Sequence, residues 1–288
     1  MTPQALQSAP VDLEATFSVR EFDYIAALVY ERSGIVLASH KKNMMFTRLV
    51  RRVRELRLPS FPAYCAYLKS AEGESEMGAL INAMTTNLTR FFREEHHFDY
   101  LASTVIPYLV EEGNRAGTRR LRLWSAGCSS GEEPYSIAIT VQRSLPQIRQ
   151  WDARILATDL DTNMVQRGAN GVYPEEAVSE IPAARRTGFF QPVPGKPSDL
   201  RAIDELRNLI AFKPLNLLGE WPMRGPFDAI FCRNVMIYFD GETKAKLISR
   251  LVGMLKPQGW LFVGHSETLL DHQNELTLVG RTIYRRRT

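Results

Sequence analysis

Three carboxylates around a loop of small residues set the chemistry open to this chain of 288 residues. Residues 119–135 read RRLRLWSAGCSSGEEPY, with Gly127 and Gly131 bracketing small side chains and Glu132 and Glu133 following at once. Asp159 closes a second apolar run, Arg154-Ile155-Leu156-Ala157-Thr158. Strand, glycine loop and helix open a nucleotide-binding crossover unit, and an acid at the tip of its second strand suits a pair of ribose hydroxyls. Small residues let a ligand approach the main chain, and the first helical amides face outward unpaired.

The loop is G-x-x-x-G, without the G-x-G-x-x-G turn that cradles a pyrophosphate. Glu132 and Glu133 would also repel a phosphate at the helix start. A cationic ligand carrying a ribose fits better, and S-adenosylmethionine has an ammonium, a sulfonium and a ribose. Ser130 and Glu133 equally match the capping box S-x-x-E, which needs no ligand. Both readings stay open from sequence alone. Asn87, Thr89 and Arg93 flank the pair Phe91-Phe92, and three polar groups beside a core anchor suggest the lip of a site. His265, Ser266 and Glu267 are no hydrolytic triad, because successive residues on a strand end do not face one another.

The elements that position these residues alternate from Leu121 onward. Strands are expected at Leu121–Trp124, Arg154–Ala157, Phe227–Cys232 and Trp260–Val263, and helices at 132–143, 162–168 and 243–255. Leu276–Val279 and Thr282–Tyr284 read as a closing hairpin and Arg285–Arg287 as a frayed basic end. The stretch 178–214 breaks the alternation and reads as a small antiparallel flap with strands at 189–191, 200–204 and 209–212. A helix is expected over 94–112, kinked at Pro107. The fold class is therefore α/β, a mainly parallel sheet with an antiparallel edge.

Ahead of it, residues 1–16 read as a loose arm and 17–86 as a helical domain. One helix, 42–56, carries an apolar stripe of Met45, Leu49, Val53 and Leu56. Lys41, Arg48, Arg51, Arg52, Arg54 and Arg57 lie off that stripe with Glu55 as the one acid. Like charges on one helix repel, so an acidic partner ranks above a merely solvated face. Nucleic acid ranks third, since no aromatic residue is interleaved and the net charge is only +4. No run is long enough to span a membrane and no signal peptide is expected. Cys65, Cys128 and Cys232 are far apart and in no metal-ligand spacing, which points to a reducing cytoplasm and no metal.

The segments NLTRFFR, WSAGCSSGEEPYSIA, ATDLD, FCRNVMIYF and LKPQGWLFVGHSE, in this order, resemble the bacterial chemotaxis receptor methyltransferases. The likeness extends to the basic segment GIVLASHKKNMMFTRLVRRVREL and so covers nearly everything from Phe17. It implies a Rossmann-like class I methyltransferase sheet with an inserted small β-subdomain (178–214), spanning 87–288 behind an all-α domain. It implies S-adenosylmethionine as cofactor and glutamate side chains on a receptor's cytoplasmic coiled coil as acceptor. By the resemblance Asn87, Thr89, Arg93, Glu133, Asp159, Asn216, Leu217, Arg233 and Asn234 stand at the cofactor: Asp159 on the ribose, Glu133 at the methionine end, Asn216 and Leu217 on the adenine. Arg93 and Tyr238 stand where the methyl leaves and the carboxylate arrives, and Arg48 and Arg54 engage the receptor. Gly127 replaces an alanine found in relatives and is expected to widen the pocket slightly. In some relatives the β-subdomain grips a peptide at the receptor's C-terminus; here its 193–199 segment is proline-rich. An S-adenosylmethionine-dependent enzyme acting on nucleic acid or another protein is the alternative.

Overall fold

The computed structural model describes residues 12–145, 147–269 and 274–288. The first eleven residues of the expected loose arm lie outside these. The rest of that arm is not loose, because Leu13 is buried and the Thr16 hydroxyl donates to its carbonyl and accepts from the Phe61 amide. The chain divides into two compact units, residues 1–85 and 86–288.

In the first unit four helices share one core: α1 (Val19–Ser33), α2 (Lys42–Glu55), α3 (Phe61–Lys69) and α4 (Met77–Met84). Ser18 and Glu21 form a capping box at the start of α1, and Gly34 ends it in the left-handed region at φ 72°. Phe22, Ile25 and Val29 pack with Met45, Leu49 and Val53 in the core. The six cations of the basic helix are not equivalent. Arg52 pairs with buried Glu76 at 2.5 Å, and the Tyr64 hydroxyl donates to the same carboxylate at 3.2 Å. Arg48 donates to the carbonyls of Ala83, Met84 and Thr85, satisfying the C-terminal end of α4. Arg51 reaches only exposed Glu55.

The second unit begins with an extended segment and then α5 (His96–Tyr100), a π-helical turn over 101–105, and α6 (Ile106–Ala116). Phe92 and Glu94 hold left-handed φ of 51° and 56°, so the helix starts later than expected. The wide turn ends just before Pro107, whose ring would otherwise strike the carbonyl four residues back. The expected kink is thus a π turn ahead of the proline.

Strand β1 (Arg120–Ala126), α7 (Glu132–Ser144), β2 (Asp152–Asp159) and α8 (Thr162–Asn170) make the first crossover. An inserted subdomain follows: β3 (Val172–Pro174), α9 (Glu175–Ser179), α10 (Ala183–Arg186), β4 (Phe190–Val193) and β5 (Lys196–Ala202). After α11 (Asp204–Arg207) and β6 (Ile210–Pro214), the chain runs through β7 (Phe227–Cys232), α12 (Gly241–Met254), β8 (Leu255–Val263), β9 (Leu276–Gly280) and β10 (Ile283–Arg286). The main sheet has the order β6-β2-β1-β7-β8-β10-β9, parallel from β6 through β8, with an antiparallel hairpin at one edge. Every residue of β7 is buried, as a central parallel strand requires, and the Phe231 and Phe262 rings stack at 4.1 Å.

Two expectations change. The small sheet, β3-β5-β4, includes Val172–Pro174, and the third expected flap strand belongs instead to the main sheet as β6, parallel to β2. The flap therefore does not reach Pro214. Phe212 of β6 lies over Gly168 of α8, where an added Cβ would sit 2.4 Å from its ring, and this contact seats β6 on the main sheet. The basic C-terminus is not frayed either. Arg285 lies over the Tyr108 and Trp260 rings at 4.7 and 4.8 Å, and Arg287 Nε donates to Thr277 Oγ1 at 3.0 Å. Among the described residues no helix is long and apolar enough to cross a membrane.

Two outcomes follow from these contacts. Arg52→Ala leaves the buried Glu76 charge unmatched and is expected to destabilise by about 3 kcal/mol or more. Arg51→Ala, at an exposed pair, should cost only about 0.5 kcal/mol; denaturant unfolding of the two variants measures the contrast. His97 has no exposed surface, and burial, then repulsion from Arg233, pushes its pKa down to about 3. Below pH ~6.5 the unfolded chain takes up a proton that the folded chain refuses, so stability falls by about 1.4 kcal/mol per pH unit toward the folded value. Against His97→Asn, the wild type's stability difference should therefore shrink by that slope from pH ~6.5 downward; a pH-independent difference would show that the ring is not held neutral.

Candidate functional site

The strand order reverses about β1, with β2 on one side and β7 on the other, so a crevice opens at the carboxyl ends of these strands. The end of β2 ties down the glycine loop, because the amides of Gly127 and Cys128 both donate to the Thr158 carbonyl at 2.8 and 2.9 Å. Ser129, in the left-handed region at φ 48°, then aims its amide at Asp159 Oδ2, 2.7 Å away. The Asp161 amide binds the other oxygen at 2.9 Å. Burial pushes the Asp159 carboxyl up, and these amides oppose the shift. The carboxylate therefore stands at the strand tip in a fixed orientation.

Neighbouring segments are tied to the same point. Asn87 Nδ2 donates to Asp161 Oδ2 at 2.8 Å, and the Ser129 hydroxyl donates to the Asn87 carbonyl at 3.1 Å. The Leu215 amide donates to the Asp159 carbonyl at 2.9 Å, which brings Asn216 and buried Leu217 in beside Asp159. Asn216 Oδ1 in turn accepts from the Leu218 amide at 2.9 Å. Thr89 is half-buried on the extended segment that Asn87 opens.

A second anchor is Arg233, immediately after β7, with a side chain only 2 % exposed. It donates to Glu133 Oε2 at 3.0 Å and to the Arg93 carbonyl, and lies 3.4 Å from Glu94 Oε2. Ser125 at the end of β1 donates to Glu133 Oε1 at 2.6 Å. Burial raises the Glu133 pKa while Arg233 and Ser125 hold the charged form. Burial also pushes Glu94 up, but Arg233 and the His265 amide outweigh it and leave the carboxyl below its ordinary value. Arg93, half-buried, folds its guanidinium back onto the Leu88 carbonyl at 3.1 Å. Asn234 stands in the left-handed region at φ 58°, its amide on Glu267 Oε2 at 2.9 Å. Tyr238 ends the short 3-10 turn that follows, half-buried.

Asn87, Arg93, Glu133, Asp159, Asn216, Leu217, Arg233 and Asn234 thus gather at one end of the sheet, and Thr89 lies on the segment between Asn87 and Arg93, whereas Arg48 and exposed Arg54 belong to the helical unit. Of the two readings of Ser130 and Glu133, the capping box is ruled out. Ser130 does not cap α7 with Glu133: Gly131, at φ 100°, takes the N-cap position, the Ser130 hydroxyl binds Glu132 at 2.7 Å, and Glu133 is engaged by Ser125 and Arg233. At Gly127 φ is +82°, and an added Cβ would lie 2.3 Å from Val235 Cγ2. An alanine there would be strained and would press on the Val235 side chain. Sequence reasoning missed Ser125, Ser129, Glu94 and Glu267. An acid three residues past Gly264, just after the apolar run Trp260–Val263, was the available signal for the last of them.

The acceptors Asp159 and Glu133, the amides of Asn87 and Asn216 and the buried Leu217 match a ligand with hydroxyls, an ammonium and an adenine. A metal is not needed to complete this set. The model described as "CheR methyltransferase, SAM binding domain" matches residues 87–285, and "CheR methyltransferase, all-alpha domain" matches 20–85. The chemotaxis protein methyltransferase of Escherichia coli K12 is 43% identical over 266 residues, covering 91% of this chain and 89% of that one. Chemotaxis protein methyltransferase 2 of Pseudomonas aeruginosa is 41% identical over 276 residues, covering 94% of each. That of Borreliella burgdorferi is 34% identical over 265 residues, covering 91% and 93%. With both of its units matched in order and relatives alike along nearly their whole length, the chain belongs to the CheR family of S-adenosylmethionine-dependent methyltransferases of chemotaxis.

Proposed function

We propose that the chain methylates glutamate side-chain carboxylates of chemoreceptors, forming methyl esters. The observation that carries this reading is the link through Arg233, which holds the Arg93 main chain and Glu133 together, so that the group facing the acceptor and the group facing the cofactor form one rigid unit. S-Adenosylmethionine supplies a methyl group on a sulfonium, an activated leaving group. Asp159 takes the ribose hydroxyls and Glu133 the methionine end, with Asn216 and Leu217 at the adenine. Asn87, Thr89, Gly127, Arg233 and Asn234 complete the walls.

A glutamate carboxylate is already ionised at neutral pH, so no general base is needed. What the protein must supply is alignment and exclusion of water, worth roughly 7–11 kcal/mol when well made. Arg93 can pair with a carboxylate through its fork, and Tyr238 can donate one hydrogen bond. Their task is orientation; tight neutralisation would quench the nucleophile. The acceptor is the cytoplasmic coiled coil of a receptor, and the enzyme acts in the cytoplasm. In the helical unit Arg54 is exposed and free to meet an acidic rod, while Arg48 reaches it with whatever its bonds to the end of α4 leave over. Strand β4 is an edge of the small sheet, open to addition of a receptor C-terminal peptide as a further strand.

Radiolabelled methyl from S-adenosylmethionine should pass to receptor cytoplasmic fragments as a base-labile label; stable label, or transfer to RNA instead, would overturn the reading. Arg93→Ala should lower turnover by roughly 100-fold while S-adenosylhomocysteine affinity changes only a few-fold. Asp159→Ala should do the reverse, weakening affinity by about 1.5–3 kcal/mol as expected for hydrogen bonds to a charged group. Calorimetric titration beside initial rates separates the two.

A further inference from the structure

Glu267 has no place in the reading above, yet main-chain amides from two loops of the site end on it. It is nearly fully buried, and both carboxylate oxygens accept from main-chain amides. Oε2 takes the Asn234 amide at 2.9 Å and the Gly264 amide at 2.7 Å. Oε1 takes the Met236 amide at 2.8 Å. The loop after β8 is thereby locked to the loop after β7, on which Arg233, Asn234 and Tyr238 follow one another. Glu94 grips the same point from the other side, with Asn234 Nδ2 at 3.5 Å and the His265 amide at 3.3 Å from its Oε1. The packing leaves no slack: a Cβ added at Gly264 would lie 2.5 Å from Asn234 Nδ2, 2.8 Å from its main-chain nitrogen and 2.9 Å from Glu267 Oε2.

We propose that Glu267 is a positioning residue for methyl transfer, its two oxygens fixing the turn that presents Asn234 to the cofactor and Tyr238 to the acceptor. The proposal rests on the substrate reading above for the role of Tyr238. Its logic lies in the number of acceptors. Main-chain amides converge on both oxygens, and only an ionised carboxylate offers an acceptor at both of its ends. Glutamine keeps the shape and loses one acceptor. With its oxygen on the pair of amides from Asn234 and Gly264, its NH2 must face the Met236 amide, donor against donor. The Met236–Tyr238 turn is then untethered while Asn234 stays in place. Gly264→Ala acts on the opposite half of the clamp, since it pushes directly on Asn234.

The two variants therefore have different signatures. Glu267→Gln should bind S-adenosylhomocysteine within about threefold of wild type and lose turnover by roughly 10- to 100-fold, the scale of an ångström's misplacement. Gly264→Ala should lose S-adenosylhomocysteine affinity along with turnover. Titration calorimetry and steady-state transfer to receptor fragments, with thermal unfolding alongside, read these quantities. Wild-type turnover in folded Glu267→Gln, or parallel losses of affinity and turnover in that variant, would overturn the proposal. If Glu267→Gln fails to fold, Gly264→Ala with wild-type affinity and turnover would overturn it. Failure of the wild type to methylate receptor carboxylates would overturn the substrate reading alone, and the contrasting affinities of the two variants would still test the clamp.

Discussion

Arg233 is the charge on which the catalytic unit depends. A guanidinium this deeply buried is tolerable only because carboxylates and a carbonyl answer it: Glu133 from α7, Glu94 from the segment before α5, and the Arg93 main chain. Removing one member of such a group leaves the others desolvated and unmatched, which is why buried ionic groups tie together segments distant in sequence more firmly than surface pairs do. Here the tie runs between β7, the start of α7 and the extended segment that precedes the catalytic sheet. The three are thereby held in one arrangement at the strand ends.

The same economy recurs around the crevice. Asp159 and Glu267 are both held by main-chain amides on each oxygen, so each acid is oriented before any ligand arrives. Left-handed residues at Ser129 and Asn234 aim those amides. Such conformations are costly for residues with side chains and persist where the surroundings enforce them. A site that relies on alignment more than on acid–base chemistry needs this kind of rigidity.

Much of this could be read from the residues. The strand–loop–helix pattern of 119–135 and the apolar runs in β2, β7 and β8 pointed to a mainly parallel sheet, because central parallel strands are rich in apolar residues; its strand order was not legible. The hairpin edge was legible from alternating strands at the end of the chain. What could not be read was pairing. Ile210–Pro214 has the same composition whether it pairs in a flap or beside β2, and Phe212 packing on Gly168 decides it. Ser130 and Glu133 fit a capping pattern that the φ of Gly131 then forbids. Glu94 carries no local pattern, and Glu267 only its place after an apolar run, since their partners are main-chain amides and a buried arginine brought in by the fold.

The uneven fate of the cations on α2 bears on how that helix behaves in different salts. Arg52 is committed to Glu76 and Arg48 to the end of α4, so the positive surface left to a partner is carried mainly by Arg51, Arg54 and Arg57. Screening by counterions acts on charges that face water, over about 8–10 Å at ordinary ionic strength. An encounter guided by this face therefore has the shallow ionic-strength dependence of a few charges, not the steep one that six would give.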